Sequence, residues 1–297
     1  MKLLRASHLG MCFGVRDAID LALRQPEPLT VLGDLVHNET VLRQLRERGV
    51  RIERQPDAVA TATVMITAHG ASQRRLAEVR ARGLNVLEAT CPLVHAAHRS
   101  LTRLVQSGFY PVIIGQRDHV EIRGMTEDLA EFDVILSEAD VSQLCEHPRF
   151  GVVAQTTQRI EHVRTLVRRL RERFPGSEVE FKDTVCQPTK LRQHAAEELA
   201  RQCDVVIVIG GANSNNTREL AATCARHCSR VHHVQTADDL HEDWLAGAET
   251  VGLTAGTSTP DVMIDAVEAR LRELAQAHTN TAETWSPERH AQSEVHA

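Results

Sequence analysis

The chain has 297 residues, of which 42% are hydrophobic and 25% are charged, and its 34 basic and 40 acidic side chains give a net charge of −6. These fractions are typical of a folded globular protein and exclude a disordered or fibrous chain. Only 3% of the residues are aromatic, so neither a basic surface nor a set of stacking rings is available for nucleic acid. Binding to nucleic acid or to a polyanionic surface is therefore not expected.

The N-terminal segment lacks the continuous apolar stretch of a signal peptide, because Lys2, Arg5 and His8 interrupt it. The longest apolar runs, such as residues 205–209, are far shorter than the roughly 20 residues that a membrane helix needs. We therefore expect a cytoplasmic protein without a membrane partner. Seven cysteines, an odd number, argue against a disulfide framework and leave thiols for metal or redox chemistry.

Short β-branched runs alternate with segments of helical period along the whole chain. Examples are residues 112–114 before Gly115 and residues 205–209 before Gly210. This alternation predicts βα units on parallel sheets.

One order of turns occurs three times along the chain. A cysteine turn comes first, at Cys12, Cys91 and Cys186. A polar turn follows, at His37, at His119 and at residues 213–217. A turn with a histidine or a hydroxyl comes third, at His69, Thr156 and Ser258.

The repeat predicts an α/β fold of nine βα units in three similar lobes, with parallel sheets around a pseudo-threefold axis and a central cavity. The predicted lobes are residues 1–88, 89–176 and 177–277, and the polar segment 278–297 is predicted to be poorly ordered. Functional groups of parallel α/β lobes lie at the carboxyl ends of the strands. The three cysteine turns are therefore expected to meet in the central cavity.

Three thiolates without an equivalent fourth leave one coordination position of a metal open. Soft thiolate ligands select zinc, copper(I) or iron–sulfur clusters. A structural zinc site usually has four ligands in CxxC pairs, and the sequence contains no CxxC. A 4Fe-4S cluster on three cysteines would expose one iron to substrate. The alternative is that these thiols only pack as small apolar groups, which is the interpretation we favour for Cys145, Cys203, Cys224 and Cys228.

The polar turns predict an anion site, because each histidine follows a strand and precedes a helix N-terminus. Further neutral donors come from Ser214, Asn216, Thr156 and Ser258, although each of these can equally be an N-cap. A single histidine in such a position would more often be a cap or an exposed residue.

A carboxylate near this cavity could deliver protons in a reaction that expels water. Glu121 follows His119 by two residues, but Asp34, Glu39 and Asp118 also lie in these turns. Spacing alone leaves the choice open, and Glu121 could also be a solvated residue of a first helical turn. The stretch IGGANSNN matches neither a dinucleotide fingerprint nor a P-loop, so no nucleotide cofactor is implied.

Nine short motifs resemble those of the 4-hydroxy-3-methylbut-2-enyl diphosphate reductase family. They extend from residue 10 to residue 261 and read GMCFGV, VHNETV, AHGAS, ATCPLV, HVEIRGM, AQTT, DTVCQPT, NSNNT and TAGTSTPD. The resemblance implies a 4Fe-4S cluster, one per chain, on Cys12, Cys91 and Cys186. It implies an allylic diphosphate substrate surrounded by His37, His69, His119, Ser214, Asn215, Asn216 and Ser258. It assigns proton delivery to Glu121, the substrate hydroxyl to Thr156, and electron supply to an external ferredoxin or flavodoxin.

Two positions depart from the family pattern. Asn215 stands where the family usually has serine, and Val120 stands where it has proline. These departures allow a diverged paralogue with an altered rate or substrate. Two other interpretations stay open, namely another three-cysteine cluster enzyme similar to quinolinate synthase and a non-catalytic cluster or zinc protein that senses redox state.

Overall fold

The computed structural model describes residues 1–26 and 28–284, and this part of the chain forms three parallel four-stranded sheets with helices packed against them. The predicted α/β class with three similar lobes is confirmed. Within the described ranges, no helix has the length and hydropathy that a membrane span requires.

The three sheets have the same internal order. The first, in the order β3-β2-β4-β5, contains β2 (Leu29–Leu32), β3 (Arg51–Glu53), β4 (Thr63–Ile66) and β5 (Asn85–Glu88). The second, in the order β7-β6-β8-β9, contains β6 (Tyr110–Ile114), β7 (Asp133–Ile135), β8 (Arg149–Ala154) and β9 (Glu178–Phe181). The third, in the order β11-β10-β12-β1, contains β10 (Val205–Ile209), β11 (Val231–Val234), β12 (Thr250–Ala255) and β1 (Lys2–Arg5).

The edge strand that precedes each cysteine completes the sheet of the preceding lobe. β1 pairs in parallel with β12, with Leu3 opposite Val251, although the two strands lie at opposite ends of the chain. β5 pairs with β4 in the first lobe and β9 with β8 in the second. The chain therefore crosses from one lobe to the next at each of the three cysteine turns.

The helix after each cysteine packs in the following lobe. α1 (Phe13–Leu23), α4 (Pro92–Gln106) and α8 (Gln187–Ala200) are these crossover helices. Ala18 of α1 is buried in the first lobe, Ala97 of α4 in the second and Ala196 of α8 in the third. Each cysteine thus joins an edge strand of one lobe to a helix of the next.

This strand pairing corrects the predicted division of the chain in two places. β1 belongs to the third sheet rather than to the first lobe, and β9 belongs to the second sheet rather than to the third lobe. The short strands β3, β7 and β11 are additional to the nine predicted βα units. A sequence pattern couples a strand to the helix that follows it, whereas backbone hydrogen bonds to a distant strand decide sheet membership.

The remaining α-helices flank the sheets. They are α2 (Glu39–Glu47), α3 (Gln73–Ala81), α5 (Val120–Thr126), α6 (Glu138–Gln143), α7 (Ile160–Arg173), α9 (Asn215–Cys224) and α10 (Asp261–Thr284). α10 buries Ile264, Val267 and Leu271 in the third lobe and continues past residue 277, where the predicted tail begins. Residues 285–297 of that predicted tail lie outside the described residues.

Two crossover helices lie unusually close to glycines of neighbouring strands. A Cβ added to Gly151 of β8 would be 2.9 Å from Leu104 Cβ of α4, and one added to Gly252 of β12 would be 2.9 Å from Leu199 Cγ of α8. Real Cβ atoms do not pack at this distance, so glycine allows the close approach of helix and sheet.

We expect Gly151→Ala and Gly252→Ala each to lower the free energy of unfolding by about 1–3 kcal/mol, because the added methyl group overpacks the core. Urea unfolding midpoints measure the change. Gly176→Ala is the matched control, since an added Cβ there has no neighbour within 4 Å. Equal stability of all three variants would contradict the close packing.

Candidate active site

The three predicted cysteines occupy equivalent positions at the starts of the crossover helices. Cys12, Cys91 and Cys186 are the N-cap residues of α1, α4 and α8, and none of the three side chains makes a capping hydrogen bond. All three are half-buried. Cys186 Sγ donates to Thr189 Oγ1 over 3.1 Å, and each of the three sulfurs lies at a helix N-terminus, whose backbone N–H groups favour negative charge.

The cysteine turns converge from the three lobes. A Cβ added to Gly14 of α1 would be 2.5 Å from Cys91 Sγ, so this sulfur packs against the helix that Cys12 begins. Burial raises the pKa of Cys91, and it raises the pKa of Cys186 to about 11. The charges of Cys12 and Glu121 add to both shifts, which places these groups within electrostatic reach of one another.

Within the described residues, the three sulfurs do not form a trio that could hold a single metal ion. Among the described residues, only His37, His69 and His119 form a trio with ligand atoms within 4.8 Å of one another. Three thiolates on one tetrahedral zinc ion would be about 3.8 Å apart, from a Zn–S bond of roughly 2.3 Å. The three cysteines therefore suit a larger group.

The three predicted histidines meet in one cluster, which joins the first and second lobes. His37 Nε2 lies 3.1 Å from His119 Nε2, and the ring of His69 stacks on that of His37 with the centroids 4.4 Å apart. Burial lowers the pKa of all three, of His119 to about 3 and of His69 well below its ordinary value. The cluster is therefore neutral near pH 7.

Backbone geometry fixes the tautomer of one ring. The N–H of Glu121 donates to His119 Nδ1 over 3.2 Å, and His119 is the N-cap of α5. Since Nδ1 accepts, the proton of the neutral ring is on Nε2, and this N–H donates to His37 Nε2. His119 is thus both a helix cap and a hydrogen-bond donor directed into the site.

Glu121 is the buried carboxyl group of the site. Its side chain is 1% exposed, with Oε1 accepting from the Thr156 N–H over 2.6 Å and Oε2 accepting from Thr156 Oγ1 over 2.9 Å. Burial raises its pKa to about 7, although both hydrogen bonds from Thr156 oppose the shift. A group that is half protonated at neutral pH suits proton transfer.

The structure separates Glu121 from the other carboxylates that spacing left open. Glu39 and Asp118 are exposed, Glu39 pairs with Arg46, and Asp34 is only half-buried. The alternative of a solvated Glu121 is wrong, because the crossing of lobes buries it.

The third lobe contributes the predicted hydroxyl and amide groups, all of them buried. Ser214 caps α9, and Ser258 Oγ donates to the carbonyl of His37 over 3.2 Å. Asn216 Oδ1 accepts from the Thr257 N–H over 2.9 Å, whereas its buried Nδ2 has no partner. An unpartnered buried donor is costly, so Asn216 has donor capacity for a ligand.

Asn215 connects two lobes. Its Nδ2 donates to Thr157 Oγ1 over 3.1 Å and to the Thr157 carbonyl over 3.3 Å, joining the third lobe to the second. Asn38 acts similarly, since it caps α2 and donates to the Ser258 carbonyl over 2.9 Å. Sequence reasoning missed Thr157 and Asn38 in these roles. Asn38 lies directly after His37, in the preferred residue class for an N-cap, which was a usable signal.

A cleft of about 480 Å³ leads from the surface to His37 and His119. It has lining residues from all three lobes, including the basic side chains Arg54, Arg75, Arg123 and Arg218, which sequence reasoning also missed. Asp34, Asp118 and Glu127 line it as well. Arg218 hydrogen bonds to Gln116 Oε1 over 2.7 Å and so spans the second and third lobes at this opening.

The remaining cysteines lie apart from the site. Cys224 and Cys228 are buried in the third lobe and Cys203 is half-buried there, as expected of packing residues. Cys145 is exposed, so the expectation that it packs in a core is wrong. It follows α6 in a stretch of chain that leads to β8 at the surface.

Three α/β lobes meet at one centre of half-buried thiols, clustered imidazoles and a buried carboxyl group, which is a donor set suited to redox chemistry. The LytB protein family model matches residues 3–272, and the chain belongs to this family. Its class is oxidoreductase, since its curated relatives are named reductases.

The relatives cover nearly the whole chain. A protein of Pelobacter propionicus named 4-hydroxy-3-methylbut-2-enyl diphosphate reductase is 37% identical over 92% of this chain and 99% of its own length. One of the same name from Aquifex aeolicus is 34% identical over 91% of this chain and 96% of its own.

Two solved structures that are similar to this chain also carry the name of this reductase. One described as (E)-4-hydroxy-3-methyl-but-2-enyl diphosphate reductase, the terminal enzyme of the non-mevalonate pathway, is 34% identical, covers 92% of this chain and 100% of that chain, and has a TM-score of 0.65. The E-1-hydroxy-2-methyl-but-2-enyl-4-diphosphate reductase of Plasmodium falciparum is 26% identical, covers 89% of this chain and 86% of that chain, and has a TM-score of 0.83.

We expect Glu121→Gln to change how stability depends on pH. The folded pKa of about 7 exceeds the ordinary 4.5, so the contribution of Glu121 is fully present below pH 4.5 and is lost as the pH rises through 7. The variant should therefore gain about 3 kcal/mol relative to the wild type between pH 5 and pH 9. Thermal unfolding of the metal-free proteins measures this difference, and a constant offset across the range would contradict the shifted pKa.

Proposed function

We propose that the chain catalyses the reductive dehydroxylation of 4-hydroxy-3-methylbut-2-enyl diphosphate in the methylerythritol phosphate pathway. The C–O bond of the allylic hydroxyl breaks, two electrons and two protons are taken up, and water leaves. The products are isopentenyl diphosphate and dimethylallyl diphosphate. Family membership supports this reaction over that of a quinolinate synthase-like enzyme.

One observation carries the proposal, namely that the Glu121–Thr156 pair is buried between a three-thiol centre and a cluster of neutral histidines. The thiols suit a metal–sulfur group, the histidines and amides suit an anion, and the carboxyl group has a pKa near the working pH. A reduction that expels hydroxide from a diphosphate needs these three elements side by side.

Cys12, Cys91 and Cys186 would hold one 4Fe-4S cluster per chain. Their position at three helix N-termini, and the absence of a trio that could hold a single metal ion among them, fit a bulky anionic group. The cluster, when bound, supplies electrons and one iron without a protein ligand. Cys145, Cys203, Cys224 and Cys228 take no part in this site.

The diphosphate would be bound by neutral donors from all three lobes. Asn216 offers its unpartnered and buried Nδ2, and the His37–His119 pair, which shares one Nε2–H over 3.1 Å, gains a further donor when a bound anion raises the pKa of its rings. His37, His69, Ser214 and Ser258 complete the set, and Asn215 contributes by fixing the third lobe against Thr157. The basic side chains of the cleft favour entry of an anion.

Protons would move along the pair formed by Thr156 and Glu121. The hydroxyl of Thr156 donates to Glu121 Oε2, so its own lone pairs are free to accept from the substrate hydroxyl. Glu121 holds a proton in half of the molecules near pH 7 and releases it toward the departing oxygen. Because both residues are buried, bulk water does not compete for this proton.

The electrons would come from outside the chain, and a ferredoxin or flavodoxin is the proposed donor. The proposed location is the cytoplasm, where such donors and reduced thiols are present. Val120 replaces the family's proline at the start of α5, yet the helix begins there because His119 caps it. The altered position is thus compatible with the proposed activity.

Anaerobic purification with iron and sulfide analysis, followed by an assay with a reduced one-electron donor, tests the proposal. We expect about four irons per chain and conversion of the diphosphate. Cys91→Ala should lose the cluster and the activity, whereas Cys145→Ala, at an exposed position, should keep both. Full activity of Cys91→Ala would overturn the proposal.

A redox sensor without catalysis is the second candidate, because the thiol centre alone would serve it. Glu121→Gln distinguishes the two. If the wild type turns over the substrate and Glu121→Gln keeps its cluster but loses turnover, the enzyme hypothesis is supported. If both proteins hold a cluster and neither shows turnover, the sensor hypothesis is supported.

We expect pyrophosphate, used as a probe of the anion site, to bind with uptake of protons. The pKa values of His37, His69 and His119 are lowered by burial, and a bound anion raises them again. Affinity should therefore fall as the pH rises from 6 to 8.5. Calorimetry in two buffers of different ionisation enthalpy measures the uptake.

The control for this uptake is a pair of variants. His119→Asn should take up fewer protons than the wild type, while His194→Asn, whose side chain is 73% exposed, should match it. Comparison between variants removes the protonation of pyrophosphate itself. Equal uptake in all three proteins would contradict a role for the histidine cluster.

A further inference from the structure

Arg192 is a buried cation on the crossover helix α8. It lies six residues after Cys186 and is 9% exposed. Nε and Nη2 of its guanidinium donate to the carbonyl of Gly10 over 2.9 and 2.7 Å, and Nη1 donates to the carbonyl of Pro188 over 3.0 Å. The guanidinium therefore donates to backbone carbonyls.

A buried arginine is normally paired with a carboxylate, since an uncompensated charge costs several kcal/mol in a protein interior. Among the ion pairs of the described residues, none includes Arg192. Burial lowers its pKa, and the charges of Cys12 and Cys186 act in the opposite direction. The groups that would compensate the charge of Arg192 are thus Cys12 and Cys186 in their thiolate form, as ligands at the proposed cluster site.

The hydrogen bonds of Arg192 also join two cysteine turns. Gly10 lies two residues before Cys12, in the turn between β1 and α1, and it has a φ of +74°. The planar guanidinium fork holds this carbonyl to the helix that Cys186 begins, across 182 positions of the chain. Arg192 therefore sets the position of the Cys12 turn relative to the Cys186 turn.

We propose that Arg192 is the buried counter-charge of the metal–sulfur group and the residue that positions the Cys12 turn for it. The inference rests on the proposed function, because it needs a group held by the three cysteines. The proposed roles of Glu121, Thr156 and the histidines do not require Arg192. We therefore assign its positive charge to the three cysteines rather than to the substrate.

Two separable effects follow. The positive charge stabilises the reduced, more negative state of the group, so its loss makes the reduction potential more negative. The two bonds to Gly10 order the turn that carries Cys12, so their loss speeds release of iron. Lysine keeps the charge but cannot form the fork, and methionine keeps much of the volume but has neither property.

The test compares Arg192→Met, Arg192→Lys and the control Arg201→Met with the wild type in anaerobically prepared protein. Arg201 is the C-cap residue of the same helix and its side chain is 59% exposed, so the control makes the same substitution away from the site. The readouts are the midpoint potential from a redox titration followed by paramagnetic resonance, and the rate of iron release to a chelator.

We expect Arg192→Met to weaken the affinity for the electron at least tenfold, which is about 59 mV for a one-electron couple. Arg192→Lys should stay within threefold of the wild-type electron affinity but release iron at least tenfold faster. Arg201→Met should match the wild type in both readouts.

Several outcomes would overturn the inference. One is an Arg192→Met protein with wild-type potential. If Arg192→Met takes up no iron, the test depends on Arg192→Lys, which keeps the positive charge. A folded lysine variant that also holds no cluster contradicts the role of Arg192 as counter-charge. A lysine variant with a cluster but a shifted reduction potential contradicts it as well. A wild type that binds no iron refutes the proposed function instead, so the two failures are distinguishable.

Discussion

The structure depends on one constraint. The last edge strand of each sheet belongs to the chain segment that continues into the next lobe. β1, β5 and β9 complete the sheets of the preceding lobes, and the helices after them pack in the following ones. The three turns between these strands and helices must lie at the lobe junctions. A pseudo-threefold arrangement brings three junctions to one place, and each carries a cysteine.

The same arrangement removes water from the groups at the centre. Burial is the leading cause of the shifted pKa values of Glu121, the three histidines and two of the cysteines. Neutral imidazoles and a half-protonated carboxyl group are ready to gain or lose protons when an anion enters. The net charge of −6 is compatible with the proposed function, because a small enclosed anion would be held by neutral donors and helix N-termini rather than by an extended basic surface.

Much of the fold and of the site could be predicted because the information is local. Cys12, Cys91 and Cys186 each stand between a strand pattern and a helix pattern, and the threefold recurrence of these turns gave the lobes and their α/β class. The short strands β3, β7 and β11 were missed because three or four residues of mixed polarity carry no clear period. Asn38 and Thr157 were missed because their contacts are with residues of another lobe.

The sequence by itself determined the three cysteine turns, the histidines at helix starts and the class of the lobes, since periodicity and residue chemistry are read over a few neighbouring positions. Only the tertiary structure decided that β1 joins the third sheet, that Glu121 rather than Asp118 is the buried acid, and that Arg192 reaches the carbonyl of Gly10. Each of these depends on which distant segments share an interface. Burial at that interface, which no local pattern records, determines the charge state and the partners of a side chain.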